Sequence, residues 1–203
     1  MRLLFKAAIL SGLVYFVFIR TCGTTSQVAI KRLQQNYASE IEQVCKELDV
    51  PDEYFKALII LECSAMKNPP SRFEPHVFRK LQQLRNGKIK RYATLQRADV
   101  QNCSDATLKL LASSWGALQI MGYHCFYLGI SIDQLKGKQN LYQAVRWCKL
   151  TYGKYLAERR YRDAFHFHNT GKPHPDWWFL TLTHDPTYVN KGIAYTQYFG
   201  VLH

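Results

Sequence analysis

The feature that most constrains the fold is an apolar run from Tyr54 to Leu61. Pro51 suits the first turn of a helix, and Asp52 and Glu53 after it are favourable beside the positive end of a helix. The run therefore predicts a central, buried helix that ends soon after Leu61. Residues 67–75 read KNPPSRFEP, and a proline pair cannot continue a helix, so a loop must follow.

Most of the remaining chain also has the apolar spacing of amphipathic helices, with hydrophobic residues three and four positions apart. Further helices are predicted over residues 29–48, from the N-cap Ser104 to about Ser114, over residues 137–160, and from the pair Asp185 and Pro186 onward. The basic stretch 80–97 is predicted to be a surface excursion or a short hairpin. The expected fold class is therefore mainly α, with one small loop or hairpin excursion.

Length and charge limit the classes of partner. At 203 residues and 47% hydrophobic content the chain can bury one core, so one domain is the default. Lys and Arg number 27 against 15 Asp and Glu, a formal charge of +12, which attracts polyanions such as nucleic acid, anionic lipid or acidic cell-wall polymers. Nucleic acid is not predicted as a partner, because the basic residues are not grouped with aromatic residues in a known recognition motif.

The amino terminus favours export. A basic start, Met1 to Lys6, precedes an uncharged run from Ala7 to Ile19, which has the length of a signal-peptide core and is shorter than the roughly 20 residues of a spanning helix. Residues 1–25 are therefore predicted to be a signal peptide or a membrane anchor. Cleavage, retention as an anchor and lipid attachment at Cys22 all stay open, and the alternative is a buried amino-terminal helix of a cytosolic protein.

Cysteine and histidine patterns give little support for a metal site. The six cysteines contain no C-x-x-C pair, and those in apolar helical contexts are expected to be free thiols that pack as small hydrophobes. His166 and His168, with His174 and His184, suggest zinc, because H-x-H on a strand places both rings on one face. No further ligand lies at a diagnostic spacing and H-E-x-x-H is absent, so no metal and no cofactor is predicted.

Glu62 raises the question of function, because it follows directly on three large aliphatic residues, Ile59 to Leu61. Removing a carboxylate from water is costly unless it is paired, protonated or used chemically. A carboxylic acid that must protonate a leaving group near neutral pH needs apolar surroundings of this kind. The alternative is that Glu62 only forms a salt bridge or faces solvent at a helix end.

Four segments in order carry a family resemblance. They are Glu62-Cys63-Ser64-Ala65, RFEPHVF at residues 72–78, SSWGALQIMG at residues 113–122, and His168-Asn169-Thr170-Gly171. Together they resemble the N-acetylmuramidase family of bacterial and phage endolysins, which belongs to the lysozyme-like superfamily with goose-type lysozyme and the lytic transglycosylases. The resemblance covers roughly residues 45–200. The family usually has Glu-Ser-Ser-Gly at the first segment, where this chain has Cys63 and Ala65 in place of the first Ser and the Gly. It often has Tyr-Asn-x-Gly at the last segment, where this chain has His168 in place of the Tyr.

The resemblance implies a lysozyme-like helical domain over residues 26–203 and a role for Glu62 as general acid. It also brings Glu74 close to the cleft as a second catalytic candidate, although Arg72 and His76 nearby make a structural ion pair the alternative. The substrate-binding candidates that it supplies are Ser64, Gly116, Gln119, Ile120, Asn169 and Gly171.

The expected activity is a peptidoglycan hydrolase that cleaves the bond between N-acetylmuramic acid and N-acetylglucosamine. The partners would be glycan strands of the cell wall, reached by an exported monomer in the periplasm or cell envelope, with a membrane or lipid anchor as an option. Two alternatives stay open. One is a lytic transglycosylase of a secretion or conjugation apparatus, and the other is an inactive lysozyme-like module that binds glycan.

Overall fold

The computed structural model describes residues 24–175, residue 183 and residues 185–201. The apolar run from Ala7 to Ile19 and the candidate lipidation site Cys22 lie outside these residues, so the signal or anchor segment stays a prediction. Within the described part of the chain, no helix is both long enough and apolar enough to cross a membrane.

The described residues are mainly helical, as the sequence predicts. In chain order the elements are α1 (Thr24–Asn36), α2 (Ala38–Glu47), α3 (Asp52–Cys63), β1 (Arg72–Phe73), α4 (Pro75–Arg85), β2 (Arg91–Tyr92), β3 (Leu95–Gln96), α5 (Arg97–Val100), α6 (Asp105–Leu111), β4 (Ser113–Trp115), β5 (Ile120–Met121), α7 (His124–Leu128), α8 (Ile132–Lys136), α9 (Asn140–Ala157), α10 (Tyr161–Thr170) and α11 (Tyr188–Gly200). The chain divides into two compact units: the first ends at Lys67 and resumes at Cys148, and the second spans Asn68–Trp147.

The first unit is built around α3, which packs against α1, α2 and α11, while α11 also packs against α10. Every α3 residue from Glu53 to Ile60 is buried, which confirms the predicted central helix. Lys56 is buried among them, and its ammonium lies 2.7 Å from Glu42 and 2.6 Å from Asp52. Glu53, the other buried charged residue of this stretch, pairs with Arg159 at 2.9 Å, so neither buried charge is left without a partner.

The second unit contains the strands. Antiparallel strands β1, β4 and β5 form a three-stranded sheet in the order β1-β4-β5, with Phe73 opposite Ser113 and Trp115 opposite Ile120. Strands β2 and β3 form a separate hairpin. The basic stretch 80–97 was predicted to be a surface excursion or a short hairpin, and it contains the hairpin. Its first residues belong to α4, which ends at Arg85.

Three helix boundaries differ from the predictions. The single helix predicted over residues 29–48 is broken at Tyr37, whose φ is −137°, and its hydroxyl donates a hydrogen bond to the Met66 carbonyl at 2.6 Å. The helix that Ser104 caps ends at Leu111, because the next residues enter the sheet as β4. The last helix begins at Tyr188, and Asp185 caps the preceding turn by accepting from the backbone N–H of Thr187.

A glycine allows α10 and α11 to approach closely. A Cβ added at Gly192 would lie 2.8 Å from ring atoms of the buried Phe165. Gly192→Ala must therefore shift a helix or the ring, and we expect it to lower the free energy of unfolding by about 1–3 kcal/mol in urea titration. Gly200→Ala, in the same helix, meets no atom within 4 Å and should change it by less than about 0.5 kcal/mol. Equal effects would contradict this close packing.

Candidate active site

Glu62 lies in the last turn of α3, inside the first unit. The two residues before Leu61, Ile59 and Ile60, are buried, whereas the Glu62 side chain is 17% exposed. The carboxyl group therefore stands where the apolar interior of the unit meets solvent. This position combines a largely dehydrated environment with limited access from outside.

Tyr188 holds one oxygen of this carboxyl group. Tyr188 is the first residue of α11, and its hydroxyl donates a hydrogen bond to Glu62 Oε1. The ring is packed edge-to-face against Phe165, with centroids 6.5 Å apart. Burial, together with the nearby charge of Glu62, raises the pKa of Tyr188 well above its ordinary value. Tyr188 therefore stays protonated and remains a donor to Glu62 throughout the physiological pH range.

His168, in the last turn of α10, faces the same oxygen. Its side chain is 6% exposed, and its Nε2 lies 3.7 Å from Glu62 Oε1. On the other side of the ring, Nδ1 lies 2.9 Å from the Tyr152 hydroxyl, which itself accepts a hydrogen bond from Tyr54 at 3.3 Å. Because Tyr152 accepts from Tyr54, its own proton is available to Nδ1 of His168. The neutral imidazole then carries its proton on Nε2, towards Glu62.

The two oxygens of Glu62 have different surroundings. Oε1 accepts from Tyr188 and faces His168, whereas none of the described residues donates a hydrogen bond to Oε2. Oε1 is thus the anchored oxygen, and Oε2 is the one that can carry an exchangeable proton. An oriented carboxyl group with one free oxygen can act as a general acid or base towards a bound molecule.

The backbone directly after Glu62 is strained. Ser64 and Ala65 both have positive φ, at 50° and 51°, a conformation that costs a residue with a side chain roughly 1–2 kcal/mol. The Asn36 amide holds this turn by donating to the Ala65 carbonyl at 2.9 Å. Ser64, a predicted binding residue, is exposed at this turn. Ala65 is fully buried in this turn, although its left-handed conformation is one that glycine adopts more easily.

The predicted binding residues Asn169 and Gly171 lie at the carboxyl end of α10. Asn169 is exposed on the last turn of α10 and lies in that helix, not in a separate turn. Gly171 is the C-cap, with φ 74°. Successive helical residues point about 100° apart, and His168 is the one that faces Glu62, with Nε2 at 3.7 Å from Oε1. The residue of this segment that meets the acid is therefore His168.

The two histidines of the H-x-H pattern do not share a face. His166 and His168 lie on α10 and not on a strand, so their rings point to different sides: His168 towards Glu62, and His166 towards the carbonyl of Lys172. His184 lies outside the described residues. Among the residues that are described, no three His, Cys, Asp or Glu side chains form a group able to hold a metal ion.

The other predicted site residues belong to the second unit. Glu74 is the N-cap of α4, and its carboxylate pairs with Arg72 Nε at 2.9 Å and with His76 Nδ1 at 3.5 Å. Arg72 and His76 are the two ion-pair partners that the sequence predicts if Glu74 has a structural role and not a catalytic one. Within this unit Glu74 also follows directly on β1, and its backbone N–H donates to the Ala112 carbonyl at 2.9 Å.

Gly116, Gln119 and Ile120 lie together where β4 turns into β5. Gly116 has φ 72°, and a Cβ there would lie 1.7 Å from the Asn140 side chain, so only glycine fits. The Gln119 amide donates to the Gly116 carbonyl at 2.9 Å, and its oxygen accepts from Ser114 at 2.7 Å. Ile120 is buried in β5. The amide of Gln119 therefore braces the turn itself.

Comparison of this chain with protein-family models, with curated proteins and with solved structures gave no match.

The contact between Tyr188 and Glu62 predicts a stability effect. Tyr188→Phe keeps the ring but removes a hydrogen bond to a largely buried carboxyl group, and we expect a loss of about 1.5–3 kcal/mol in the free energy of unfolding. Tyr195→Phe, in the same helix, removes a hydroxyl that donates to Ser26 Oγ at 2.9 Å and should cost about 1 kcal/mol. Urea titration measures both, and a Tyr188→Phe loss no larger than the control would count against a strong bond.

Proposed function

We propose that the protein is a glycoside hydrolase of the N-acetylmuramidase type, which cleaves the glycan strands of peptidoglycan with Glu62 as general acid. The observation that carries this proposal is the state of Glu62: a carboxyl group at the end of a buried helix, anchored at Oε1 by Tyr188 and free of described donors at Oε2. The resemblance of the flanking segments to muramidases supplies the substrate class.

In the proposed reaction, Oε2 of protonated Glu62 donates its proton to the glycosidic oxygen as the bond to the sugar breaks, and the anomeric carbon forms its new bond to water in hydrolysis or to the sugar's own hydroxyl in transglycosylation. The glutamate becomes negatively charged in this step. The Tyr188 hydroxyl and the Nε2–H of His168 both face Oε1, so both stabilise the charge as it develops.

The remaining parts of the proposal rest on sequence and charge. The segment 1–25 is proposed to direct the chain to the periplasm or cell envelope, with or without an anchor. A formal charge of +12 would hold the enzyme on an acidic wall. The chemistry assigned to Glu62 needs no cofactor, because a side-chain proton is transferred to the substrate.

Two alternatives make different predictions for the products. The described contacts of Glu62 come from a phenol and an imidazole, and not from a second carboxylate, so hydrolysis and transglycosylation are both compatible with its surroundings. Digestion of purified peptidoglycan followed by mass spectrometry separates them: reducing ends indicate hydrolysis, and anhydro ends indicate a lytic transglycosylase. Binding of the glycan without new ends of either kind would indicate an inactive module and contradict the proposal.

The role of Glu62 is tested by Glu62→Gln, which preserves shape but removes the proton that the leaving group needs. We expect turnover on peptidoglycan to fall by about 10²–10⁴, while glycan binding persists. Glu74→Gln is the matched control, because the Glu74 carboxylate is paired with Arg72 and His76. It should lower the melting temperature and reduce turnover far less. Activity of folded Glu62→Gln within a few-fold of the parent would exclude Glu62 as the acid.

His168 is proposed as a positioning residue for Glu62. His168→Phe removes the Nε2–H that faces Oε1, so the carboxylate formed by proton transfer loses a stabilising group. We expect turnover to fall by about tenfold. His168→Gln, which keeps an N–H donor, should restore part of the rate.

Tyr152→Phe provides an independent check on His168, because it removes the hydroxyl that lies 2.9 Å from Nδ1. It should reduce turnover in the same direction, and its effect should not add fully to that of His168→Phe in the double variant. Fully additive losses, or a rate in His168→Gln no higher than in His168→Phe, would show that the imidazole only fills space.

A further inference from the structure

The positive charge of the chain is concentrated in one segment of the second unit. Residues 75–98 contain seven Lys and Arg side chains and no Asp or Glu, so this segment has a formal charge of +7. The whole chain has a formal charge of +12, and these 24 residues therefore supply more than half of it. The cleavage proposed for Glu62 uses none of these side chains.

The fold packs this segment into one substructure. Helix α4 contacts both β2 and α5, and β2 pairs with β3. Arg97, the first residue of α5, donates from Nε to the Arg85 carbonyl at the end of α4, at 3.2 Å. Its guanidinium also lies 3.6 Å from the position that a Cβ at Gly87 would occupy. The cations of the helix, the turn after it and the hairpin thus belong to one packed substructure.

Six of the seven basic residues are exposed and have no ion-pair partner. Arg85 is the exception, because it is half-buried and pairs with Asp105 at 2.7 Å. No Asp or Glu among the described residues pairs with the other six, which together are called the basic surface: Arg79, Lys80, Lys88, Lys90, Arg91 and Arg97.

The acidic residues that border the segment are already engaged. Glu74 pairs with Arg72 and His76, and Asp99 accepts a hydrogen bond from the backbone N–H of Gln96 at 2.7 Å. Neither carboxylate can neutralise the basic surface without giving up its present partner. Like charges in one cluster repel one another, so the basic surface favours a partner of opposite charge.

We propose that the basic surface binds the headgroup layer of a membrane that contains anionic phospholipid. Clusters of roughly four to eight Lys and Arg on an amphipathic element bind such membranes through charge. Helix α4 is an element of this kind, because Val77, Leu81 and Leu84 are buried while Arg79 and Lys80 are exposed. A headgroup layer presents many phosphates in one plane, so side chains dispersed over a surface can each reach one.

The basic surface lacks the features that recognise a nucleic-acid strand. Between Arg79 and Arg97 the one aromatic residue is Tyr92, which is half-buried with its ring packed 5.7 Å from that of Tyr123. Stacking of bases requires exposed aromatic rings. The segment 75–98 also exposes no large hydrophobic side chain, so we expect adhesion to the headgroups without insertion into the bilayer.

The test is binding of the full chain to lipid vesicles, measured by co-sedimentation at low ionic strength. One set of vesicles is phosphatidylcholine alone, and the other is a mixture with phosphatidylglycerol. We expect the parent to bind the anionic vesicles at least about tenfold more tightly. This preference should disappear in salt of about 1 M, where the Debye length is about 3 Å. The segment 1–25 is present in every measurement, so its contribution does not differ between variants.

The basic surface is removed in part by the triple variant Lys88→Gln, Lys90→Gln and Arg91→Gln. Because these side chains are exposed, the variant should stay folded, and circular dichroism checks this. Its binding to anionic vesicles should weaken by about tenfold or more, with no change on neutral vesicles. The double variant Arg79→Gln and Lys80→Gln alters α4 without touching the hairpin, and it should weaken the same binding.

The matched control is the triple variant Lys46→Gln, Lys67→Gln and Arg162→Gln, which removes three exposed charges of the first unit. It has the same net charge as the first triple variant, and it should bind anionic vesicles nearly as the parent does. Glu62→Gln should also bind as the parent does, so the outcome does not depend on the proposed enzymatic activity.

Three results would overturn the membrane assignment. One is equal binding of the parent to neutral and anionic vesicles, and another is equal weakening by the two triple variants. The third uses soluble polyphosphate, which stands in for an acidic wall polymer. Tighter binding to polyphosphate than to anionic vesicles, at equal phosphate concentration, would show that the basic surface serves a soluble polyanion and not a membrane.

Discussion

The hydrogen bond from Tyr188 to Glu62 is the contact on which the organisation of the first unit depends. It joins the last turn of α3 to the first turn of α11, two segments 126 positions apart in the sequence. The helix α3 is buried and ends in a carboxyl group that little water can reach. The Tyr188 hydroxyl supplies the hydrogen-bond donor that this carboxyl group needs. The same contact leaves Oε2 as the oxygen available for chemistry.

A line of polar groups runs from this contact into the core. Tyr54 and Tyr152 are fully buried, yet their hydroxyls bond to each other, and Tyr152 continues to His168. Burial raises the pKa of both phenols well above the ordinary value, so they remain neutral donors. Such a network fixes the imidazole tautomer without burying a net charge, which explains how aromatic residues of the core can orient an acid at its surface.

The sequence was sufficient to predict what depends on local pattern. The apolar run that forms α3, the N-cap at Ser104 and the exceptional position of Glu62 all follow from periodicity and from the cost of burying charge. The partners of Glu62 could not be predicted this way. Tyr188 resembles any other aromatic residue of an amphipathic helix, and only the packing of α11 on α3 gives its hydroxyl a role. The H-x-H spacing of His166 and His168 would place both rings on one face only in a strand, and on α10 the helical period turns them to different sides.

The helical period of α10 places its two histidines in different surroundings. Residues two apart on a helix point about 200° apart, so His166 and His168 serve opposite sides of one short element. His168 accepts from a tyrosine through Nδ1 and directs Nε2–H to a carboxyl group, whereas His166 donates through Nδ1 and keeps a lone pair on Nε2. The two imidazoles thus have opposite tautomers, and each is determined by its own Nδ1 partner. A change in the turn at Lys172 should therefore alter the His166 side first and leave the tautomer of His168 intact.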